Sequence, residues 1–119
     1  MDTMIIWKYY YQYLKNYYAN FTDDSNQWQD IIDNILEDYN GNSGSIYRHL
    51  KSKDHDCKYI IPNDKYSQVK WANQFDQKYN NWSDDILLSQ IKYYTPEVIL
   101  LDIGAYNSSN IIKLILLLL

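Results

Sequence analysis

A single cysteine, Cys57, means that no disulfide can form within this chain. That favours a reducing, cytoplasmic setting over an oxidising one. One arginine, Arg48, and a net charge of −4 leave no basic stripe to neutralise phosphates, which speaks against nucleic acid as a partner. The start, Met1-Asp2-Thr3-Met4-Ile5-Ile6-Trp7-Lys8, lacks the basic and long apolar regions of a secretory signal. The longest apolar run, Ile111 to Leu119, contains Lys113 and has about half the ~20 residues needed to span a bilayer. Of only three glycines, Gly41 and Gly44 lie between helical patterns rather than between a strand and a helix, so no phosphate-cradling loop is present. The two histidines, His49 and His55, are equally sparse. Asp54-His55-Asp56 offers one imidazole and hard oxygens in a turn, and a solvated turn is favoured over a metal site. Cys57 has only His55 as a nearby candidate base and is read as a buried thiol.

What is abundant is apolar and aromatic. Hydrophobic residues make up 46% of the chain and aromatic ones 17%, enough for a folded core. Tyrosine supplies 14 of the 20 aromatic residues. Met4 to Trp7 is a short first strand. Tyr9 to Phe21 then has Tyr10, Tyr13, Leu14, Tyr17, Tyr18 and Phe21 near helical spacing. This stripe packs a core or, on the functional reading, offers a ring-stacking surface for sugars. Asn26 to Asp38 is a second helix with Trp28, Ile31, Ile32, Ile35, Leu36 and Tyr39 inward. The Asn40 to Gly44 stretch breaks the chain, and Ser45 to Lys53 is a third helix burying Ile46, Tyr47 and Leu50.

Cys57 to Pro62 reads as the second strand, ended by proline. Asp64 to Gln77 carries Tyr66, Val69, Trp71 and Phe75. Ser83 stands where an N-cap belongs, ahead of Asp84 and Asp85 in a helix whose inward residues are Ile86, Leu87, Ile91 and Tyr94. Pro96 ends that helix and pushes Thr95 toward an extended conformation. Val98 to Ile103 is a third, fully apolar strand, and Asn110 to Leu119 begins another helix. Right-handed crossovers place about three strands parallel in one sheet. The uncapped Leu114 to Leu119 run makes sense as a helix covered by something further, so the expectation is one N-terminal half-domain over residues 1–119 of a larger protein.

Three blocks, in this order and spacing, resemble a known family. They are Tyr47-Arg48-His49-Leu50-Lys51, then Tyr66-Ser67-Gln68-Val69-Lys70-Trp71-Ala72, then Ile86 to Leu100 with Gln90-Ile91 and Pro96-Glu97-Val98. The pattern resembles the N-terminal domain of bacterial glycosyltransferases of the GT-B type, from about Tyr10 to Ile112. In that branch a helix leads to a "G-H-E" turn, followed by "Q-x-x-W-A" and "L-x-x-Q-I-x-x-x-x-P-D-V". Here Asp54-His55-Asp56 replaces the turn glycine, and Glu97 stands where aspartate is usual.

The resemblance implies an incomplete Rossmann-like three-layer α/β domain with flanking helices. It implies sugar transfer from a nucleotide-sugar donor to an unknown glycan, lipid or protein acceptor, with possible membrane-surface proximity. The donor would be held by a C-terminal domain that this chain does not contain, so the chain carries no cofactor site and is inactive alone. The N-terminal domain is the acceptor side, with the loops after Trp7 and after Ile103 facing the cleft.

No catalytic residue is assigned. The acceptor-side candidates are Asp102, at the end of an apolar strand, with Tyr106 and Asn107 in the loop beyond it. Asp102 either orients an acceptor hydroxyl or accepts loop amide bonds. Tyr106 and Asn107 either contact a sugar or cap the last helix. Pro96 to Asp102 also resembles the phosphoacceptor strand of receiver domains, but Asp102 comes too late in the chain and Asp23-Asp24 follows a helix. The reading from a different class is a non-catalytic α/β interaction module.

Overall fold

The computed structural model describes residues 2–22, 27–39 and 41–102. Three strands, β1 (Thr3–Ile6), β2 (Cys57–Ile60) and β3 (Val98–Leu101), form one sheet in the order β2-β1-β3. Both pairings are parallel, in agreement with the crossover argument. Three helices, α1 (Tyr11–Ala19), α2 (Trp28–Asp38) and α3 (Gly41–Ser52), connect β1 to β2. Two more, α4 (Lys65–Gln74) and α5 (Trp82–Tyr94), connect β2 to β3. The architecture is therefore α/β. Among the described residues no helix is long and apolar enough to cross a membrane.

The central strand shows why the sheet forms. Met4, Ile5 and Ile6 are at most 1% exposed, as expected of a strand covered on both faces. Helix α2 buries Trp28, Ile31, Ile32, Ile35 and Leu36, the stripe its spacing predicts, while Tyr39 stays half exposed. Helix α1 is shorter than its pattern, and only Leu14 within it is fully buried.

Elsewhere the pattern misleads. Helix α4 buries Ser67, Gln68, Trp71 and Ala72, whereas Tyr66 is exposed and Val69 and Phe75 are half buried. The reason is polar. The Gln68 amide donates to Gln90 Oε1 of α5 at 2.9 Å, and the Gln90 amide donates back to Gln68 Oε1 at 2.9 Å. Two buried amides that satisfy each other can sit in a core. In this chain, then, the glutamines at positions 68 and 90 pack the two helices together.

Helix α3 begins at Gly41 rather than Ser45. Gly41 takes φ +56°, which a glycine adopts freely, and the small residues Ser43 and Gly44 are buried. Their size lets α3 approach β2, where Ser43 Oγ and the Tyr59 hydroxyl share a 2.6 Å hydrogen bond. The cap of α5 is Asn81 rather than Ser83: Asn81 Oδ1 accepts the Ser83 N–H at 3.1 Å. Thr95 is left-handed rather than extended, with φ 45° and ψ 57°. Its N–H donates to the Ile91 carbonyl at 2.9 Å and closes the helix, at the strain a β-branched residue carries there.

Candidate functional site

The strand order creates a crevice. The chain leaves β1 for β2 on one side, then returns past β1 to reach β3 on the other. Where a parallel sheet reverses direction in this way, the loops at the carboxyl ends diverge and leave a gap. Ile6 lies opposite Leu101, and the Asp102 N–H donates to the Ile6 carbonyl at 3.1 Å. Trp7 and Asp102 therefore leave the sheet side by side.

A cavity of about 620 Å³ opens at that point, within the usual ~300–1,000 Å³ range of small-molecule sites. Trp7, Lys8, Tyr9, Tyr10 and Tyr13 supply one wall from the segment running out of β1 into α1. Tyr39, just after α2, supplies a second aromatic wall. Asn42 and Ser43 come from the first turn of α3, and Asp102 from the end of β3. The rings of Tyr10 and Tyr39 are 79% and 51% exposed, which leaves them available to a ligand.

The loop that carries these rings is tied down. The Tyr9 N–H donates to Asn63 Oδ1 at 3.2 Å, and Asn63 Nδ2–H donates to the Tyr9 carbonyl at 2.7 Å. One side chain thus pairs with both backbone groups of a residue, as a neighbouring strand would. The Tyr9 hydroxyl donates to the Tyr39 carbonyl at 2.7 Å, joining the start of α1 to the end of α2. Tyr13 donates to Asp38 Oδ2 at 2.5 Å and ties the same two helices together further along.

The electrostatics keep the phenols neutral. Burial pushes the Tyr9 hydroxyl far above the ordinary tyrosine range, and the surrounding phenols add to the shift. Burial also raises Tyr13, reinforced by its bond to Asp38. Tyr59 lies beneath the cavity wall and is fully buried. Burial raises its pKa most, its bond to Ser43 opposes the shift, and the charge of Asp102 adds to it. These hydroxyls therefore remain hydrogen-bonding groups at neutral pH and do not act as bases.

Of the three sequence candidates, Asp102 stands in the crevice, while Tyr106 and Asn107 lie outside the described residues. The loop after Trp7 faces the same crevice. Sequence reasoning missed Tyr39, Asn42 and Ser43. The signal that could have found them is the pair of small residues at 43 and 44, which permits α3 to reach the sheet. Cys57 is fully buried, and burial pushes its thiol up to about 11, consistent with an inert core residue. Among the described residues no three His, Cys, Asp or Glu side chains gather as metal ligands.

The arrangement suits a ligand with a flat apolar face and several hydroxyls. Exposed rings can cover the face, and a carboxylate, an amide and neutral hydroxyls can meet the edge. No protein-family profile, no characterised protein and no solved structure matches this chain.

Proposed function

We propose that this chain is the acceptor-side lobe of a glycosyltransferase, built as an incomplete Rossmann-like three-layer domain. In this reading the acceptor sugar enters the crevice between the ends of β1 and β3. Asp102 accepts a hydrogen bond from an acceptor hydroxyl and orients it. Tyr10 and Tyr39 cover the apolar face of the sugar ring. A second domain brings the nucleotide-sugar donor. The observation that carries the reading is the cavity at the strand-order reversal, with exposed tyrosines around the Asp102 carboxylate.

The test is titration of the chain with monosaccharides and disaccharides, following the Trp7 indole by NMR. Saturable binding is expected. Asp102→Asn keeps the shape but removes the charge, and should weaken binding by about tenfold. Sugars that leave Trp7 unperturbed would refute the reading. The chain alone should turn over no nucleotide sugar, and clear product in such an assay would count against the two-domain arrangement.

One observation favours a non-catalytic interaction module instead. Tyr10 and Tyr11 are adjacent and 79% and 76% exposed, a pair that a protein partner could cover. Tyr11→Ala separates the two readings, because Tyr11 does not line the crevice. Sugar binding should survive that change.

A further inference from the structure

A second cavity, of about 490 Å³, lies beside the first along the seam between α1 and α2. The two share the ring of Tyr13 as a common wall. Beyond Tyr13 the second cavity is lined by Tyr17 and Phe21, with Asn16, Asn34 and Asp38 at its sides.

The rings form a regular series. Successive centroids from Tyr39 to Tyr13, Tyr17 and Phe21 are 5.4, 6.2 and 5.5 Å apart. The steps from Tyr13 to Tyr17 and Phe21 follow the i, i+4 spacing of α1, about one helical pitch of ~5.4 Å, while the Tyr39–Tyr13 step crosses from the end of α2. Tyr13 and Tyr17 are within 26° of parallel at 6.2 Å, an offset-stacked pair. This step is close to the repeat of consecutive pyranose rings in a linear glycan.

We infer that the two cavities form one groove for a linear, uncharged oligosaccharide, with about one sugar ring to each aromatic ring. The inference rests on the sugar-binding reading of the Asp102 end and extends it from one unit to a chain. Across the two cavities the charged lining is Asp38 and Asp102 with one cation, Lys8, so no cluster of positive charge is there to hold an anionic ligand. The amides of the second cavity both donate and accept, as hydroxyl groups require. The seam lies between two helices, so it offers no open strand edge to hold a peptide by strand addition. Tyr13 is already fixed to Asp38, so little side-chain freedom is lost when a ligand arrives.

The test uses the malto-, cello- and chito-oligosaccharide series, each from monosaccharide to hexamer, titrated into the whole chain by NMR. In the series that binds, affinity should rise about three- to tenfold per unit and level off when the groove is full. Tyr17→Ala should flatten that rise, and Tyr17→Phe should preserve it. Asn34→Ala, a change on an exposed helix face, should flatten it in part without threatening the fold. If monosaccharides perturb Trp7 but longer chains bind no more tightly, the groove fails while the single-sugar site stands. If length dependence survives both Tyr17→Ala and Asn34→Ala, the groove is again overturned. If no member of any series perturbs the protein, the groove and the sugar site fall together.

Discussion

Helices α4 and α5 pack closely, backbone near backbone, around Trp71, Leu87 and the reciprocal Gln68–Gln90 pair. Helix α1 does the opposite. Its tyrosines hold it at arm's length from its neighbours, linked by ring contacts and by single hydroxyl bonds to Asp38 and Asp64. Close packing leaves no room for a ligand. Long aromatic side chains, which bridge without filling, leave cavities along α1. In this molecule the tightly packed region supplies stability, and the loosely bridged region supplies space.

The sharpest way to break that contrast is at the glutamines. Gln68→Leu leaves the Gln90 amide buried without a partner and should cost about 2–3 kcal/mol in urea unfolding. Replacing both by Leu should recover most of the loss. Tyr13→Phe removes one half-exposed hydroxyl bond on the loose side and should cost ~1 kcal/mol or less. Equal costs for Gln68→Leu and Tyr13→Phe would erase the distinction.

A smaller effect sits where the two regions meet. Asp64, at the start of α4, is 3% exposed and accepts the Tyr18 hydroxyl of α1 at 2.6 Å. Burial raises its pKa above the ordinary 3.8, and the Tyr18 bond works against the shift. The folded state therefore holds this proton more tightly than the unfolded state. The resulting stabilisation is complete below about pH 3.8 and is lost as pH rises through the folded-state value. Asp64→Asn should remove this contribution from the stability–pH curve while still accepting from Tyr18. A curve unchanged by the substitution would show that the carboxylate is not desolvated.

The smallest effect lies within the tight region, at the end of α5. Thr95 occupies a left-handed conformation that glycine adopts without strain. Thr95→Gly should stabilise the fold by roughly 0.5–1 kcal/mol, seen as a rise in Tm. A fall would mean that the Thr95 side chain makes a contact worth more than the strain.

Much of the fold was legible in the sequence because it follows from local rules. Apolar runs bounded by turns marked all three strands, and the Trp28 to Leu36 stripe marked α2 correctly. The cap at Asn81 and the left-handed Thr95 are local misreadings, but in the larger ones the deciding partner is distant in sequence. Ser43 and Gly44 look like a loop until Tyr59 is seen against them. Gln68 and Gln90 carry no sign of burial until they are seen to face each other. The order β2-β1-β3 has no local signature, yet it creates the crevice. Asp102 was legible as a strand-end carboxylate, but the ring of Tyr39 beside it was placed inside a core.

Asn63 has a consequence that reaches beyond its own two bonds. Because it grips both backbone groups of Tyr9, the segment leaving β1 is already cast in its final shape before anything docks. An incoming molecule need not wait for that segment to reorganise. Its capture rate should therefore climb in proportion to concentration and show no plateau.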